Sequence, residues 1–230
     1  MKKQVLAFYL ASVLFSFNAC NTENEQINNV LPIYLPMSVG NYWIYQHFVI
    51  DSLGNERSLN LFDSVVIIKD TLINNELYYM FGGRQNEPSF PKFLRYSDGY
   101  LIRNNGEKIF STTDFKNILY ERDDSVQIKD KYYFIYLLKI KMESIPKLIK
   151  TPAGEFSTLN AGGYLTLYYY DDLAELIDSI ITDQNTYYAQ NVGIVVQTYQ
   201  YYFDVKYLKR KYEKRLIRYK INKYFFLSDL

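Results

Sequence analysis

The sequence predicts a mainly β protein: a single antiparallel, curved sheet or an open barrel or sandwich, with at most one or two short helices. Two observations support this fold class. The 230 residues include 25 Tyr and 15 Phe but one Trp, and Tyr and Phe favour the half-buried surface of a sheet. From residue 40 onward, runs of alternating polarity lie between short turn signals, which is the pattern of successive strands.

The strands are expected to follow one another at short intervals. Asn41–Ile50 predicts the first strand, and Leu59–Lys69 the second. The second strand is apolar on both faces at residues 65–68, which indicates a central position in the sheet. Asn74 and Asn75 are a tight-turn signal before the next strand. Further strands are expected at residues 76–81, 100–103, 107–111, 132–142, 155–170, 185–190, 193–205 and 217–221.

Two segments do not follow the strand pattern. Leu173–Ile181 has apolar side chains at the spacing of one helix face, and this predicts one short helix. The stretch from Tyr207 to Leu216 fits a helix and a strand equally, so both assignments remain open there.

The N-terminus has the features of an export signal. Two lysines precede Val5–Phe17, an uncharged and largely apolar run of 13 residues. Such a run is too short for a helix that spans roughly 30 Å of hydrocarbon, but it suits the apolar region of a signal peptide. Phe17–Cys20 resembles a lipobox, with Phe in place of the usual Leu, and Cys20 is the only cysteine in the chain. We therefore expect residues 1–19 to be a signal peptide and Cys20 to be lipidated.

This assignment predicts where the protein resides. Residues 20–31 are expected to be the lipidated cysteine and a polar tether, and residues 32–230 a single β-rich domain. Two or three acyl chains attach a protein to a membrane stably, whereas one binds only marginally. The expected partner is therefore the membrane, and the expected location is the outer membrane of the cell envelope, on its surface or its periplasmic face.

The composition argues against several kinds of site. One His and one Cys exclude an internal disulfide and leave too few ligands for a transition-metal centre, so neither a metal nor a cofactor is expected. Residues 206–223 contain nine Lys and Arg and one Glu, which could contact phosphate groups. The same run also fits a solvated strand face, and no nucleic-acid partner is expected.

Three segments resemble uncharacterised cell-envelope lipoproteins of Bacteroidota-type bacteria. They are a VGxxWxY opening within Leu35–Tyr45, a TPAGxF segment at Thr151–Phe156, and a YAxxVGxV segment within Tyr187–Val195. Their order matches, and the resemblance spans most of residues 31–221. It implies a β fold of a kind that includes open, curved sheets cradling apolar ligands, and it implies no catalytic residue.

Aromatic residues are the candidate ligand contacts. Trp43 and Tyr45 share one face of the first strand, as core anchors or as a surface on which a ligand stacks. Tyrosine doublets occur on the predicted strands, and each doublet sends one ring to either face. Such rings could stack on a sugar or grip a partner, or they could lie inside a sheet that is covered on both sides. The candidate ligand-binding residues are Trp43, Tyr45, Tyr168, Tyr170 and Tyr201.

Catalytic chemistry has little support in the sequence. His47 is the only candidate base at neutral pH, and no serine in a nucleophile-elbow motif accompanies it. The adjacent acids Asp123 and Asp124, and likewise Asp171 and Asp172, do not by themselves place two carboxylates across a sugar. We therefore expect a protein that is not an enzyme, and no catalytic residue is assigned.

The sequence thus favours a lipid-anchored, non-enzymatic binding module that uses an aromatic β surface to bind a glycan, peptide or apolar ligand. Two alternatives remain. One is a lipid-handling or envelope-assembly protein with an apolar slot, which an enclosed apolar cavity would favour. The other is a carboxylate-dependent hydrolase, which two carboxylates facing each other across a cleft would favour. The sequence does not determine the oligomeric state.

Overall fold

The computed structural model describes residues 31–86, 90–128, 131–170, 176–199 and 210–222. Within these ranges, only the backbone is described at residues 124–128, 131–135, 169–170 and 176–181. The chain divides into two units, residues 1–30 and residues 31–230, and every described residue belongs to the second. In this described part, no helix is long and apolar enough to cross a membrane.

Thirteen strands make up the described secondary structure. They are β1 (Tyr42–Ile50), β2 (Glu56–Ile73), β3 (Glu76–Gly82), β4 (Phe93–Ser97), β5 (Tyr100–Arg103), β6 (Lys108–Ser111), β7 (Ile118–Ile128), β8 (Lys131–Met142), β9 (Lys147–Thr151), β10 (Gly154–Tyr170), β11 (Leu176–Ala189), β12 (Gly193–Tyr199) and β13 (Lys211–Lys220).

All thirteen strands belong to one antiparallel sheet. Its order is β6-β5-β4-β3-β2-β1-β13-β12-β11-β10-β8-β7, and β9 pairs with the first part of β10 beside this path. The two ends of the path approach each other, because β6 lies against β7 and β8. The sheet is therefore nearly closed, and the prediction of a single antiparallel, curved β-sheet is confirmed.

Alternating burial along the strands separates an inner from an outer face. In β1, Trp43, Tyr45, His47 and Val49 are buried, while the residues between them are half-buried. The turns use the residues that the sequence indicated, since Asn74 and Asn75 both have positive φ between β2 and β3. The pattern of polarity thus sets which side chains enter the enclosed space.

The largest apolar cluster fills much of that space. It draws buried side chains from β1 to β6, from β8 and from β10 to β13, together with Leu35 and Met37 of the segment before β1. The turn between β9 and β10 packs onto it, because the Ala153 amide donates to the Leu216 carbonyl at 3.3 Å and Phe156 meets the ring of Tyr219 edge-on. At about 25 cal/mol per Å² of buried apolar surface, this core is the main source of stability.

The helix predicted at Leu173–Ile181 is wrong at residues 176–181, which the structure describes. Leu176–Ile181 belongs to β11, which pairs with β10 from Tyr170 back to Thr158, and residues 173–175 lie outside the described residues. A short apolar run fits both the helical repeat and the strand repeat. The strand forms here because pairing with the long neighbouring strand gives the backbone its hydrogen bonds. The ambiguous stretch is likewise a strand from Lys211 onward.

The sequence pattern also missed strands. β4, β7 and β9 were not expected, and β2 extends further in both directions than the predicted Leu59–Lys69. β7 and β9 carry several charged residues and little alternation, so their strand character comes from pairing with neighbours rather than from their own pattern.

Candidate functional site

A cavity of about 100 Å³ lies on the inner side of the sheet. Its lining comes from β5 to β8, from β10 to β12, and from the segment before β4. Strands from both ends of the sheet path therefore contribute to one space, which exists only because the sheet nearly closes. This makes the cavity the first candidate for a binding site.

Part of the cavity lining is apolar. Leu138 and Ile140 of β8 line the cavity together with Ile109 of β6 and Ile194 of β12. Ile140 packs against the large cluster and also against a smaller cluster formed by Leu138, Leu165 and Leu167. The cavity thus lies where two apolar clusters meet, and its apolar side suits a hydrocarbon group.

Another part of the lining is polar and uncharged. Gln184 and Thr186 come from β11, and Gln197 and Thr198 from β12. Thr186 and Gln197 are direct neighbours in the pairing of these strands. The Thr198 hydroxyl accepts a hydrogen bond from the Asn185 amide at 2.7 Å. Amide and hydroxyl groups in a partly apolar lining can orient a ligand that has both polar and apolar parts.

Arg103, at the end of β5, supplies a positive charge to the lining. Its Nη1 donates to Glu107 Oε2 at 2.8 Å, and its guanidinium lies 5.8 Å from the centre of the Tyr120 ring. Its Nε is enclosed and has no hydrogen-bond partner among the described residues. The lining that is described includes no Asp or Glu. Arg103 therefore reaches the lining as a cation that is already paired with Glu107.

The phenols beside the cavity are neutral at physiological pH. Burial raises the pKa of Tyr120, and it raises the pKa of the fully buried Tyr188 still more. A neutral phenol is a donor and an acceptor, so neither ring adds a negative charge to the lining.

A charged cluster lies on the inner faces of four adjacent strands. Asp63 of β2, His47 of β1 and Lys214 of β13 are each no more than 1% exposed. His47 Nδ1 is 2.7 Å from the Tyr199 hydroxyl, and Asn86 donates its backbone and side-chain N–H to Asp63 Oδ1 at 2.9 and 2.7 Å. The cluster joins β2, β1, β13 and β12 across the sheet.

Two contacts in the cluster are short, but their angles do not suit hydrogen bonds. His47 Nε2 lies 3.1 Å from Asp63 Oδ1, and Lys214 Nζ lies 3.3 Å from Asp63 Oδ2. Neither His47 Nε2 nor Asp63 Oδ2 meets the angular requirement of a hydrogen bond. We therefore treat both as electrostatic contacts, which depend on distance more than on angle.

These contacts determine the protonation state of Asp63. Burial by itself would raise the pKa of this carboxyl, but the His47 contact, the Asn86 hydrogen bonds and the Lys214 charge together lower it to about 2. The carboxylate is therefore ionised at neutral pH and faces a buried ammonium group.

The charged cluster adjoins the cavity along β12. Gln197 and Thr198 line the cavity, and the next residue, Tyr199, contacts His47. The cluster is closed to solvent, and the two ring nitrogens of His47 lie against the Tyr199 hydroxyl and the Asp63 carboxylate. Its arrangement suits holding the strands together, and it presents no exposed base to a substrate.

The structure places the candidate ligand contacts in different surroundings. Trp43 and Tyr45 are core residues: Trp43 Nε1 donates to the Val192 carbonyl at 2.6 Å, and the Tyr45 hydroxyl to the Ile194 carbonyl at 3.0 Å. Their geometry matches the core-anchor alternative. Tyr168 is half-buried in β10. The Tyr170 side chain, Tyr201 and Cys20 lie outside what the structure describes.

The tyrosine doublets divide between the two faces, as their strand positions predict. Tyr78 is buried and Tyr79 half-buried, and Tyr188 is buried and Tyr187 half-buried. Of the tyrosines whose exposure is described, Tyr164 alone is exposed. In this part of the chain, therefore, no connected row of exposed tyrosines forms a stacking surface.

Among the described residues, the two acid pairs do not place carboxylates opposite each other. Asp123 is exposed in β7, and the Asp124 side chain, Asp171 and Asp172 fall outside the description. Nor do the described residues contain a group of three or more His, Cys, Asp and Glu side chains that could hold a metal ion.

The sequence pattern did not single out Arg103, Asp63 or Lys214. Asp63 was detectable, because it is in phase with the buried Val65 and Ile67 and therefore points inward from a largely apolar face. Arg103 and Lys214 lie in short or basic strands, and no local signal separates them from solvated cations.

Comparisons with known proteins show only distant likenesses. No family model matches the chain, and no curated protein matches it. It is similar to the crystal structure of a candidate lipoprotein from Parabacteroides distasonis ATCC 8503, at 16% identity and a TM-score of 0.42, over 82% of this chain and 99% of that one. It is also similar to a candidate exported protein with a YmcC-like fold from Bacteroides fragilis NCTC 9343, at 14% identity and a TM-score of 0.41, over the same shares.

Proposed function

We propose that this chain is a lipid-anchored, non-enzymatic binding protein of the cell envelope, and that it takes a small amphipathic molecule into the cavity. One observation carries the proposal. The nearly closed sheet forms a cavity whose lining combines apolar side chains, uncharged polar side chains and Arg103, which is paired with Glu107. A pocket lined mainly by apolar groups, with a few placed polar groups, is the usual form of a small-molecule site.

The geometry favours the interior over an aromatic outer surface. Of the expected aromatic contacts, Trp43 and Tyr45 are used inside the core. The described part of the lining includes no Asp or Glu, so it lacks the paired carboxylates that the hydrolase alternative needs. The lipid-handling alternative thereby gains support, in a modified form in which the slot is partly polar.

The size of the cavity limits the ligand. Pockets for drug-sized molecules commonly measure about 300–1,000 Å³, and this one measures about 100 Å³. It suits a short single chain or a small ring, or one end of a larger molecule. A complete diacyl lipid would be too large for it.

The proposed location depends on the N-terminal segment. The signal-like run at residues 5–17 and the single Cys20 support lipid attachment in the outer membrane. Metabolic labelling with a clickable fatty acid tests this attachment. Label should enter the wild-type protein and be absent from Cys20→Ala, and equal labelling of both would overturn the anchor assignment.

Binding can be tested with a cavity-filling variant. Ala161 is a buried part of the lining, and Ala161→Leu should occupy the space. The protein is purified with its lipid anchor in nanodiscs and titrated with 1-octanol, with empty nanodiscs as the blank. We expect saturable binding to the wild-type protein and at least a tenfold loss in Ala161→Leu.

The control is Ala153→Leu, which adds the same volume at a half-buried turn residue outside the lining. It should bind 1-octanol like the wild-type protein. Emission from Trp43, the single tryptophan, reports whether each variant is folded. No saturable binding to the wild-type protein, or equal binding by all three proteins, would overturn the cavity as the binding site.

A further inference from the structure

We infer that one edge of the sheet rests on a phospholipid membrane, and that exposed leucines in its turns are buried in the membrane surface. This inference goes beyond the cavity and rests on the lipid anchor of the proposed function. Three observations carry it: the turns that share this edge, the place where the N-terminal segment joins the domain, and the positions of the exposed apolar side chains.

Several turns lie at the same edge because neighbouring strands run in opposite directions. The turn between β2 and β3 is at Asn74 and Asn75. β4 runs back along β3, so the turn between β4 and β5 is at the same edge. The alternation continues around the sheet to the other connections and to the start of β1 and the end of β13. We call this end of the sheet the tether edge, and it comprises residues 31–41, 72–77, 97–100, 112–118, 143–153, 189–193 and 220–222.

The N-terminal segment joins the domain at the tether edge. Leu31 is the last residue of the expected tether, and its Cδ1 lies 3.3 Å from the position that a Cβ at Gly99 would take. The Ile33 carbonyl accepts a hydrogen bond from the Asn191 amide at 2.8 Å. Leu31 follows Cys20 by 11 residues, which span at most about 40 Å when fully extended. A membrane that holds the lipid is therefore within reach of this edge.

Exposed apolar side chains are concentrated at the tether edge. Leu72 and Leu77 are direct partners in the pairing of β2 with β3, and they are 69% and 47% exposed. Leu148 of β9 is also 69% exposed. The described turns of the opposite edge hold one exposed large apolar residue, Leu53. Of the twelve such residues in the described part of the chain, seven lie at the tether edge, namely Leu31, Val39, Leu72, Leu77, Ile118, Ile145 and Leu148.

A bilayer surface suits this arrangement. The seven side chains come from four separate segments, and a fluid membrane surface accepts such tips without complementary pockets. Lys147 and Lys150 flank Leu148, and a lysine can bury its stem while its ammonium group stays among the lipid head groups. The tether edge contains four lysines and four acidic residues. Burial of apolar surface, rather than attraction to anionic lipid, therefore drives the contact.

Nitroxide labels test the contact. The lipidated protein in phosphatidylcholine vesicles is labelled at one introduced cysteine, Leu72→Cys or Leu148→Cys, because the sulfur of Cys20 carries the lipid. Leu53→Cys, at a residue that is 86% exposed in the turn between β1 and β2, is the matched control. We expect the ratio of oxygen collisions to nickel-chelate collisions at residues 72 and 148 to exceed that at residue 53 by at least about tenfold, because a polar chelate is excluded from hydrocarbon.

Two changes separate apolar burial from charge. The collision ratio at residue 72 should stay within about twofold between low and high salt, because the tether edge has no net charge. Leu77→Ser combined with Leu148→Ser should lower this ratio by at least about threefold, because less apolar surface is then buried. Leu53→Ser should leave it unchanged. Trp43 emission reports whether each variant is folded.

The outcomes separate this inference from the lipid anchor. If the ratios at residues 72 and 148 equal that at residue 53 while the fatty-acid label enters the wild-type protein, the membrane contact is overturned and the anchor stands. Protection of residues 72 and 148 from both reagents would also overturn it, because a protein surface would then cover the edge. If the fatty-acid label does not enter, the anchor fails, and the same labels in Cys20→Ala mixed with vesicles decide the membrane contact by the same ratios.

Discussion

Replacing Asp63 by Asn should destabilise the domain strongly with little change in shape. The amide oxygen of Asn can still accept the two hydrogen bonds that Asn86 donates to Asp63 Oδ1. The amide NH₂ then takes the place of Oδ2, which lies 3.3 Å from Lys214 Nζ. A buried ammonium group would face a donor in place of a carboxylate, in a site that is at most 1% exposed.

Two routes give the magnitude of the loss. The pKa of Asp63 falls from 3.8 to about 2 in the folded protein, which corresponds to about 2 kcal/mol in favour of the ionised carboxyl. Removing one member of a buried ion pair costs about 3–5 kcal/mol. We therefore expect a loss of about 2–5 kcal/mol from the free energy of unfolding, a large part of the 5–15 kcal/mol that is typical of a domain.

The loss should depend on pH in a defined direction. A carboxyl whose pKa is lowered on folding stabilises the protein above the unfolded pKa, and this contribution disappears as the pH falls through the folded pKa. The difference between wild type and Asp63→Asn should therefore be full at pH values above about 4 and shrink as the pH falls towards about 2.

Urea unfolding followed by Trp43 emission measures both effects, because this buried tryptophan is the only one in the chain. Asp183→Asn, at an exposed position of β11, is the control and should change stability by less than about 0.5 kcal/mol. A loss below about 1 kcal/mol in Asp63→Asn, or an equal loss at neutral and at strongly acidic pH, would refute the role assigned to the buried pair.

Two other predictions concern backbone strain and buried phenols. Gly193 and Gly54 both have positive φ, but a Cβ at Gly193 would lie 3.0 Å from Trp43 Nε1, whereas Gly54 has open space. Gly193→Ala should therefore cost about 2–4 kcal/mol and Gly54→Ala about 1 kcal/mol in urea unfolding, and equal losses would contradict the close approach. Burial raises the pKa values of Tyr45 and Tyr188, so their stabilisation is complete below the unfolded pKa of about 10 and is lost as the pH rises above it. An alkaline titration that follows phenolate absorbance and Trp43 emission should show the last tyrosines ionising together with unfolding; their ionisation in the folded protein would refute this.

Much of the fold followed from local pattern. The first strand, the shared face of Trp43 and Tyr45, and the turn at Asn74 and Asn75 were all predicted, because alternation and turn residues act over a few positions. The segment Leu176–Ile181 was assigned wrongly, because its apolar spacing fits a helix face and pairing with β10 lies outside any local window.

The candidate site could not be predicted from local pattern. Arg103, Leu138 and Gln197 belong to strands that are distant along the chain, and they line one space because the ends of the sheet path meet. No local window contains that closure. The aromatic residues that the sequence favoured as ligand contacts include Trp43 and Tyr45, which the fold uses as core anchors.

The sequence by itself determined the β class, the alternation that separates inner from outer side chains, and the expectation of export and lipidation at Cys20. These properties depend on residues that are close together in the chain. The tertiary structure alone decided which inward residues became core, which became a buried ion pair around Asp63, and which line a cavity with Arg103. The physical reason is that burial and charge pairing depend on strand order and closure, and long-range pairing sets both.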